Sequence, residues 1–393
     1  MSPTPPPFGP PQGERELAQM VDILAQAFAT PPEEIRQRIL LPGADTWVLR
    51  AGGEVCATAA LIPMGQWFGG RRVRCAGISA VGVAPPHRGQ GSGGRLMQAV
   101  LGQARAQGFA LATLYPSSQG FYRRVGFEQA GARLEHRVRM AGIEVRERGL
   151  SLRAVQPEDG PRLREVYALH ARRQQGWLDR GPYVWTRVTH PRTDLVYGYL
   201  VEGAGGVEGY VYLARRALPG SYRQELVLTD LVALTPGAGR RLLAFLGEHR
   251  ALATEVVWRG GPAEPLLLLL DEQAYDSKIL DRWMVRVLDA RAALQTRGYA
   301  EGVSAALHLD VEDALFPENG GRFVLEVTQG RAQVREGGEG DLKLDVRALA
   351  PLYTGYLTPD ALRLAGALSA SDDTLRAATT LFSGPFPAMP DIF

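Results

Sequence analysis

Lysine is almost missing from this sequence. Of its 44 basic residues only Lys278 and Lys343 are lysines, so Schiff-base and lysine-nucleophile chemistry have little to draw on. A Gly-Lys-Ser/Thr phosphate loop is excluded in the N-terminal half, because no lysine precedes Lys278. Cysteine is as scarce: Cys56 and Cys75 are the only two and read as reduced core thiols, with a mutual disulfide as the open alternative. Six histidines without Cys/His spacing argue against a structural metal. No apolar run, Leu266 to Leu270 included, is long enough for a bilayer, and no signal-peptide pattern is present, so a cytoplasmic protein is expected. A net charge of +2 supplies no field for nucleic acid or a membrane surface.

What the chain does have is length, proline and glycine. Its 393 residues exceed one hydrophobic core, so two or three domains are expected. Residues 1–13 are Pro-rich enough to read as a disordered leader. Leu17, Met20, Val21, Leu24 and Phe28 then recur at helical spacing. A short helix near Glu33 to Leu40 and a hairpin about Ala51-Gly-Gly-Glu54 follow. Val73 to Ala84 reads as a strand, and Leu96, Met97, Val100, Leu101 and Ala104 as a helix face. Between them, Gly89, Gly91, Gly93 and Gly94 clear side chains from that helix's N-terminus and make an anion site, to which Arg88 and Arg95 add charge. The guest is a phosphate or pyrophosphate. Gly89, Gly91 and Gly94 also fit a dinucleotide fingerprint, but Pro85-Pro86 and the Arg-initiated loop fit it poorly.

Arg88-Gly-Gln-Gly91-Ser-Gly93, preceded by Val81-x-Val83-x-Pro85, resembles motif A of the GCN5-related N-acetyltransferases. Phe109 to Tyr115 reads as the next strand, and Gly120-Phe-Tyr122-Arg-Arg-Val-Gly-Phe127 resembles that family's aromatic-Tyr-x-x-x-Gly-Phe segment. A second such unit starts at Leu152-Arg-Ala-Val. Its Thr235-Pro-Gly-Ala-Gly-Arg240 resembles a decayed motif A, which suggests a tandem duplicate without a cofactor site; a second working site is the alternative. From about Met284 an α+β unit with antiparallel strands is predicted. Met284-Val-Arg-Val-Leu-Asp and Leu344-Asp-Val-Arg-Ala-Leu-Ala-Pro-Leu-Tyr-Thr-Gly355 look like the sterol-carrier-like domain of Eis-like (enhanced intracellular survival) acetyltransferases.

The expected fold is therefore α/β and α+β: tandem acetyltransferase folds plus a sterol-carrier-like C-terminal domain. The expected boundaries are 14–148 (catalytic), 149–286 (degenerate) and 287–393 (sterol-carrier-like, supplying the terminal carboxylate). The resemblance implies acetyl-CoA as co-substrate and no metal. Val81 and Val83 would meet the pantetheine arm, and Arg88, Gly89, Gly91, Gly93 and Gly94 the pyrophosphate. It further implies a homo-hexamer and a small polycationic amine acceptor, aminoglycoside- or polyamine-like. Protein lysine acetylation, or a non-enzymatic acyl-CoA- or lipid-binding regulator, are the alternatives.

A primary amine is protonated at neutral pH, and freeing it costs about 4.6 kcal/mol, so the site needs a base. Arg71 to Ala84 contains no Asp, Glu or His to serve. In Eis-like proteins the chain's own C-terminal carboxylate is the base, which here points to Phe393. The Pro-rich end Gly384-Pro-Phe-Pro-Ala-Met-Pro-Asp-Ile-Phe393 is stiff enough to thread into another domain; a frayed tail is the alternative. Tyr122 matches the family's acid for the departing thiolate; packing beside Phe121 and Phe127 is its other reading. His87, Ser117 and Ser118 are weaker candidates, Trp47 and Trp67 are either acceptor-site or core residues, and Asp22, Glu33, Glu34 and Asp391 are candidate acidic walls.

Overall fold

The computed structural model describes residues 7–191 and 194–393. The first unit runs β1 (Phe8–Gly9), α1 (Gly13–Phe28), α2 (Pro32–Ile39), β2 (Asp45–Ala51), β3 (Glu54–Phe68), β4 (Arg71–Val83), α3 (Ser92–Ala106), β5 (Leu111–Leu114), α4 (Gln119–Arg123) and β6 (Glu128–Arg139). Helix α1 turns Met20, Val21, Ile23 and Leu24 inward and stops at Ala29, whose left-handed φ of 49° ends the helix ahead of Pro31. Gly52 and Gly53, at φ 60° and 82°, close the hairpin between β2 and β3. Strand β3 runs on through Pro63 to Phe68. The missing N–H costs nothing there, because β2 stops opposite Leu61 and leaves that side of Pro63 without a ladder.

The second unit runs β7 (Ser151–Ala154), α5 (Gly160–Ala171), β8 (Leu178–Asp179), α6 (Pro182–Thr189), β9 (Val196–Gly203), β10 (Gly206–Ala217), β11 (Gln224–Ala233), α7 (Pro236–Gly247), β12 (Ala253–Gly260) and β13 (Tyr275–Val287). The third runs α8 (Ala290–Thr296), β14 (Ala305–Glu312), β15 (Gly321–Thr328), β16 (Arg331–Glu336), β17 (Leu342–Asp345), α9 (Val346–Thr354), α10 (Pro359–Leu364), β18 (Leu368–Ser369) and α11 (Asp372–Phe382). No helix among the described residues is long and apolar enough to cross a membrane.

The first two units share one sheet, in the order β1-β2-β3-β4-β5-β13-β6-β12-β11-β10-β9-β7, with β8 pairing β3. The third has its own sheet, β16-β15-β14-β17-β18. Strand β13 leaves the second unit and wedges between β5 and β6 of the first, pairing both antiparallel. Two units that the sequence separates at 148/149 are thus joined by a shared strand. On that strand Arg286, fully buried, donates to both oxygens of Asp313 at 2.7 Å and to Val125 O at 3.0 Å. This ties the second unit's last strand to the third unit and to the turn after α4. One apolar core holds Met64, Phe68 and Val73 of the first unit, Leu178 and Val184 of the second and Leu309 and Leu349 of the third, together with Met389 and Phe393.

The disordered leader is corrected from residue 7 onward; residues 1–6 lie outside the described residues. Phe8 and Gly9 pair with Leu49 and Val48, and the Phe8 ring stacks on Trp47 with centroids 5.1 Å apart. Arg50 donates to Pro10 O at 2.7 Å and pairs with Glu16, its N–H reaching Pro7 O. Prolines that cannot form helix still supply carbonyls, and Arg50 takes one with its guanidinium and one with its backbone N–H. Phe8→Ala should therefore lower unfolding stability by about 1–2 kcal/mol, read by denaturant titration. A disordered leader would give no change.

Candidate active site

Strands β4 and β5 run parallel but pair only at Cys75/Leu111, Ala76/Ala112 and Gly77/Thr113, and then part. The parting follows from a bulge. Ala80 and Val81 oppose the single Ala59 on β3, with Ala80 at φ 50° and its carbonyl held by Thr58 Oγ1 at 3.0 Å. Past the bulge, Ala84 donates its N–H to Cys56 O on β3. By the alternation of the pleat, Val83 and Val81 direct their N–H and C=O groups the other way, into the gap beside β5. An extended amide-bearing arm fits there as an added strand.

The gap leads to the N-terminus of α3. Gly89 and Gly91 hold φ 74° and 78°, a conformation open to glycine, and Gly91 ends the loop without a side-chain cap, leaving the first N–H groups of a 15-residue helix free. A Cβ on Gly93 would lie 3.0 Å from the Phe121 ring, whereas Gly89 and Gly94 face open space. These residues line a cavity of about 380 Å³ with Val83, His87, Arg88, Phe121 and Arg124. Arg88 reaches Val83 O at 3.1 Å. Arg95, expected to add charge, instead folds back onto Gln90 O and Ser92 Oγ and does not line the cavity. Arg124, which the sequence reading passed over, takes that place. It makes no ion pair among the described residues and lies 5.9 Å from the Phe121 ring, while its neighbour Arg123 is spent on Glu128. Free N–H groups, glycines and two guanidiniums suit a pyrophosphate.

Tyr122, on α4, is buried between Phe121 and Phe127, whose ring centroids lie 4.9 and 5.9 Å away. Burial pushes its hydroxyl up to about 12, a hydrogen bond with Ser117 opposing. The phenol thus stays protonated at neutral pH. Ser118 precedes α4 without a side-chain cap bond. Both cysteines are free and buried, which raises their thiol pKa values. No cluster of three or more metal-ligating side chains occurs among the described residues.

The end of the chain comes to the same gap. Pro387 O accepts from Ala132 N at 3.2 Å and Ala388 N donates to Gln175 O at 2.9 Å. Tyr115, just past β5, donates to Met389 O at 2.6 Å and Asp391 O at 2.9 Å. The Phe393 ring is buried against Gly77 and 6.1 Å from the Tyr115 ring, where β4 and β5 part. A Cβ on Gly77 would meet that ring at 3.0 Å.

Comparison with known proteins agrees with this geometry. Acetyltransferase (GNAT) domain models match residues 11–130 and 176–287, and a sterol carrier protein domain model matches 290–390. An uncharacterized N-acetyltransferase of Streptomyces griseus is 31% identical over 357 residues, 83% of each chain. N-acetyltransferase Eis of Mycobacterium tuberculosis is 26% identical over 378 residues, covering 88% of this chain and 89% of that one. A GCN5-related N-acetyltransferase structure from Anabaena variabilis superposes with a TM-score of 0.92 at 35% identity, over 98% of this chain and 100% of that one. The chain is an Eis-like GCN5-related N-acetyltransferase.

In this acetyltransferase the second unit's glycine turn differs from the first. Thr235 caps α7 by accepting from Ala238 N at 3.1 Å, and its hydroxyl donates to Glu208. Leu150, Leu266 and Leu269 pack within 3.4 Å of where side chains on Gly237 or Gly239 would begin. A carboxylate and leucines stand where a pyrophosphate would need space and positive charge. Of the aromatic candidates, Trp47 is covered by Phe8, and Trp67 exchanges backbone hydrogen bonds with the Gly176–Trp177 segment of the second unit.

If Arg124 supplies charge to the cradle, Arg124→Ala should weaken coenzyme A binding about tenfold by calorimetry, while a pantetheine thioester lacking the pyrophosphate is held equally well. Equal losses for both ligands would reject the assignment.

Proposed function

We propose that this acetyltransferase transfers acetyl from acetyl-CoA directly to a primary amine, with the Phe393 carboxylate as base and Tyr122 as acid. The observation that carries the reading is the burial of Phe393 at the parting of β4 and β5, on a face where β4 offers no carboxylate of its own. Val81 and Val83 align the pantetheine arm; Arg88, Gly89, Gly91, Gly93 and Gly94 hold the pyrophosphate, with Arg124 added from the structure. The co-substrate supplies an activated acyl group and a thiolate leaving group. Phe393 takes one proton from the acceptor ammonium; the freed amine nitrogen bonds the thioester carbonyl carbon, the C–S bond breaks, Tyr122 gives its phenolic proton to the departing sulfur, and the second proton lost from the nitrogen restores the phenol.

The acceptor reading implied by resemblance is a small polycation such as an aminoglycoside or polyamine, taken by a homo-hexamer. Among the carboxylates proposed for its walls, Asp391 is buried and paired with Arg180, whereas Asp22, Glu33 and Glu34 are exposed on α1 and α2. One observation favours a second reading. A cavity of about 200 Å³ against Pro390–Ile392 is lined by Arg133, Arg180, Arg187 and Arg259, and Arg187 has no carboxylate partner among the described residues. Asp230 and Asp391 share that wall and Arg133, Arg180 and Arg259 have carboxylate partners, so it is Arg187 alone that would take a carboxylate or phosphate on the acceptor amine, including lysine within an acidic peptide.

A thiol-release panel of polyamines, aminoglycosides, free amino acids and acidic lysine peptides separates the two. Turnover confined to polyamines and aminoglycosides supports the polycation; turnover confined to the anionic amines supports the second. Tyr122→Phe should lower kcat by roughly 10²–10⁴-fold with acetyl-CoA affinity kept, and a residue added after Phe393 should abolish turnover while acetyl-CoA still binds. Undiminished turnover in either protein removes that residue from its role.

A further inference from the structure

The second unit repeats the first unit's parted strands, and the tail lies along one side of them. Strands β11 and β12 run parallel and pair from Gln224/Ala253 to Val227/Val257, then separate. As on β4, a bulge follows: Thr229 is the extra residue between Leu228 and Asp230, opposite the adjacent pair Tyr212 and Leu213 on β10. In the opened cleft, Val227 to Leu231 of β11 and Trp258 of β12 face Pro390, Asp391 and Ile392.

The contact at its centre is ionic and dry. Arg180 is 1% exposed as a side chain and holds Asp391 with Nη2 at 2.8 Å and Nε at 3.0 Å, and Asp230 with Nη2 at 3.1 Å. Tyr210 donates to Asp230 at 2.7 Å and Tyr167 to Asp391 at 3.3 Å. The guanidinium also lies 3.7 Å from the Tyr167 ring centroid and 4.9 Å from that of Trp185. Burial disfavours its charge, but the two aspartates hold the guanidinium charged, well above its ordinary value. Asp230 belongs to the second unit's sheet and Asp391 to the tail, so one arginine joins the cleft to the chain two residues before Phe393.

We propose that the second unit's cleft has become a socket for the C-terminal segment, in which Arg180 and Asp230 are positioning residues that aim Phe393 into the first unit's cleft. The cleft that lost room for a pyrophosphate kept its parted strands, and the Arg180 triad replaces a ligand's polar groups with those of the chain itself. The catalytic part of this inference rests on the reading of Phe393 as base; the anchoring part does not.

The test treats full-length protein with carboxypeptidase A and follows loss of Phe393 by intact mass, alongside kcat and acetyl-CoA affinity. In the wild type, Phe393 should be released slowly. Asp230→Asn and Arg180→Met should speed release at least tenfold and lower kcat at least tenfold, with the acetyl-CoA dissociation constant unchanged within twofold. Arg180→Lys should recover part of both. Release at the wild-type rate in Asp230→Asn, which keeps the side chain's shape, overturns the socket even if Arg180→Met fails to fold. Faster release with kcat intact leaves the socket standing and overturns Phe393 as base.

Discussion

The parting of β4 from β5 is the constraint on which the rest of the molecule depends. Parallel strands normally continue their ladder, and stopping it exposes backbone donors and acceptors that must find other partners. Here the Ala80 bulge turns the far half of β4 away, leaving the edge of Val81 and Val83 without a strand partner on the β5 side, with Val83 O taken by Arg88 Nε, and the Phe393 ring fills the apex at Gly77. An open edge beside an uncapped helix N-terminus is a poor arrangement for a protein with nothing to bind there. It is a good one for an extended amide chain that ends in phosphates.

Holding such a gap open requires rigid walls, and the walls come from distant parts of the chain. Strand β13 closes the sheet on the β5 side, and its Arg286 is fixed by Asp313 of the third unit and by Val125, three residues after Tyr122. Removing one partner from a buried pair of this kind typically costs about 3–5 kcal/mol, because the survivor is left charged and dry. Asp313 in turn accepts from Asn319, whose side-chain oxygen takes the N–H of Ala290 at the start of α8. The third unit thus braces the turn that follows Tyr122 while also supplying the tail.

Much of this was legible where the signal is local. The glycine turn, the helix after it, the aromatic segment and the three-unit order all lie in short windows whose residues fold next to one another. Pairing between remote segments was not. The charged half of β13, with Asp276, Lys278, Asp281 and Arg282, gives no hint that Trp283 to Val287 will be central in another unit's sheet. The leader's prolines signal disorder by composition, yet their carbonyls are what Arg50 requires. Arg95 and Arg124 exchange roles because the direction of a long side chain depends on packing: Ser92 and Gln90 capture the first, and the Phe121 ring lies beside the second. Asp391 looked like a free acid because nothing nearby in sequence announces Arg180.

On the proposed mechanism the two clefts divide the work in a way that simple energetics makes understandable. Ordering a residue costs about 1–2 kcal/mol of backbone entropy, and chain ends fray unless tied. Pro385, Pro387 and Pro390 reduce that cost along the tail by fixing φ, but none holds the terminus against its target. Arg180 acts at Asp391, so only Ile392 and Phe393 lie beyond that ion pair, and of these the Phe393 ring is itself held in the core. On the proposed mechanism this matters because a reacting group displaced by about 1 Å can cost on the order of 10²-fold in rate. A base on a rigid strand would need no such device. A base carried by a tail needs a second body to hold it, and a duplicated cleft with parted strands was already of the right shape to take an extended segment.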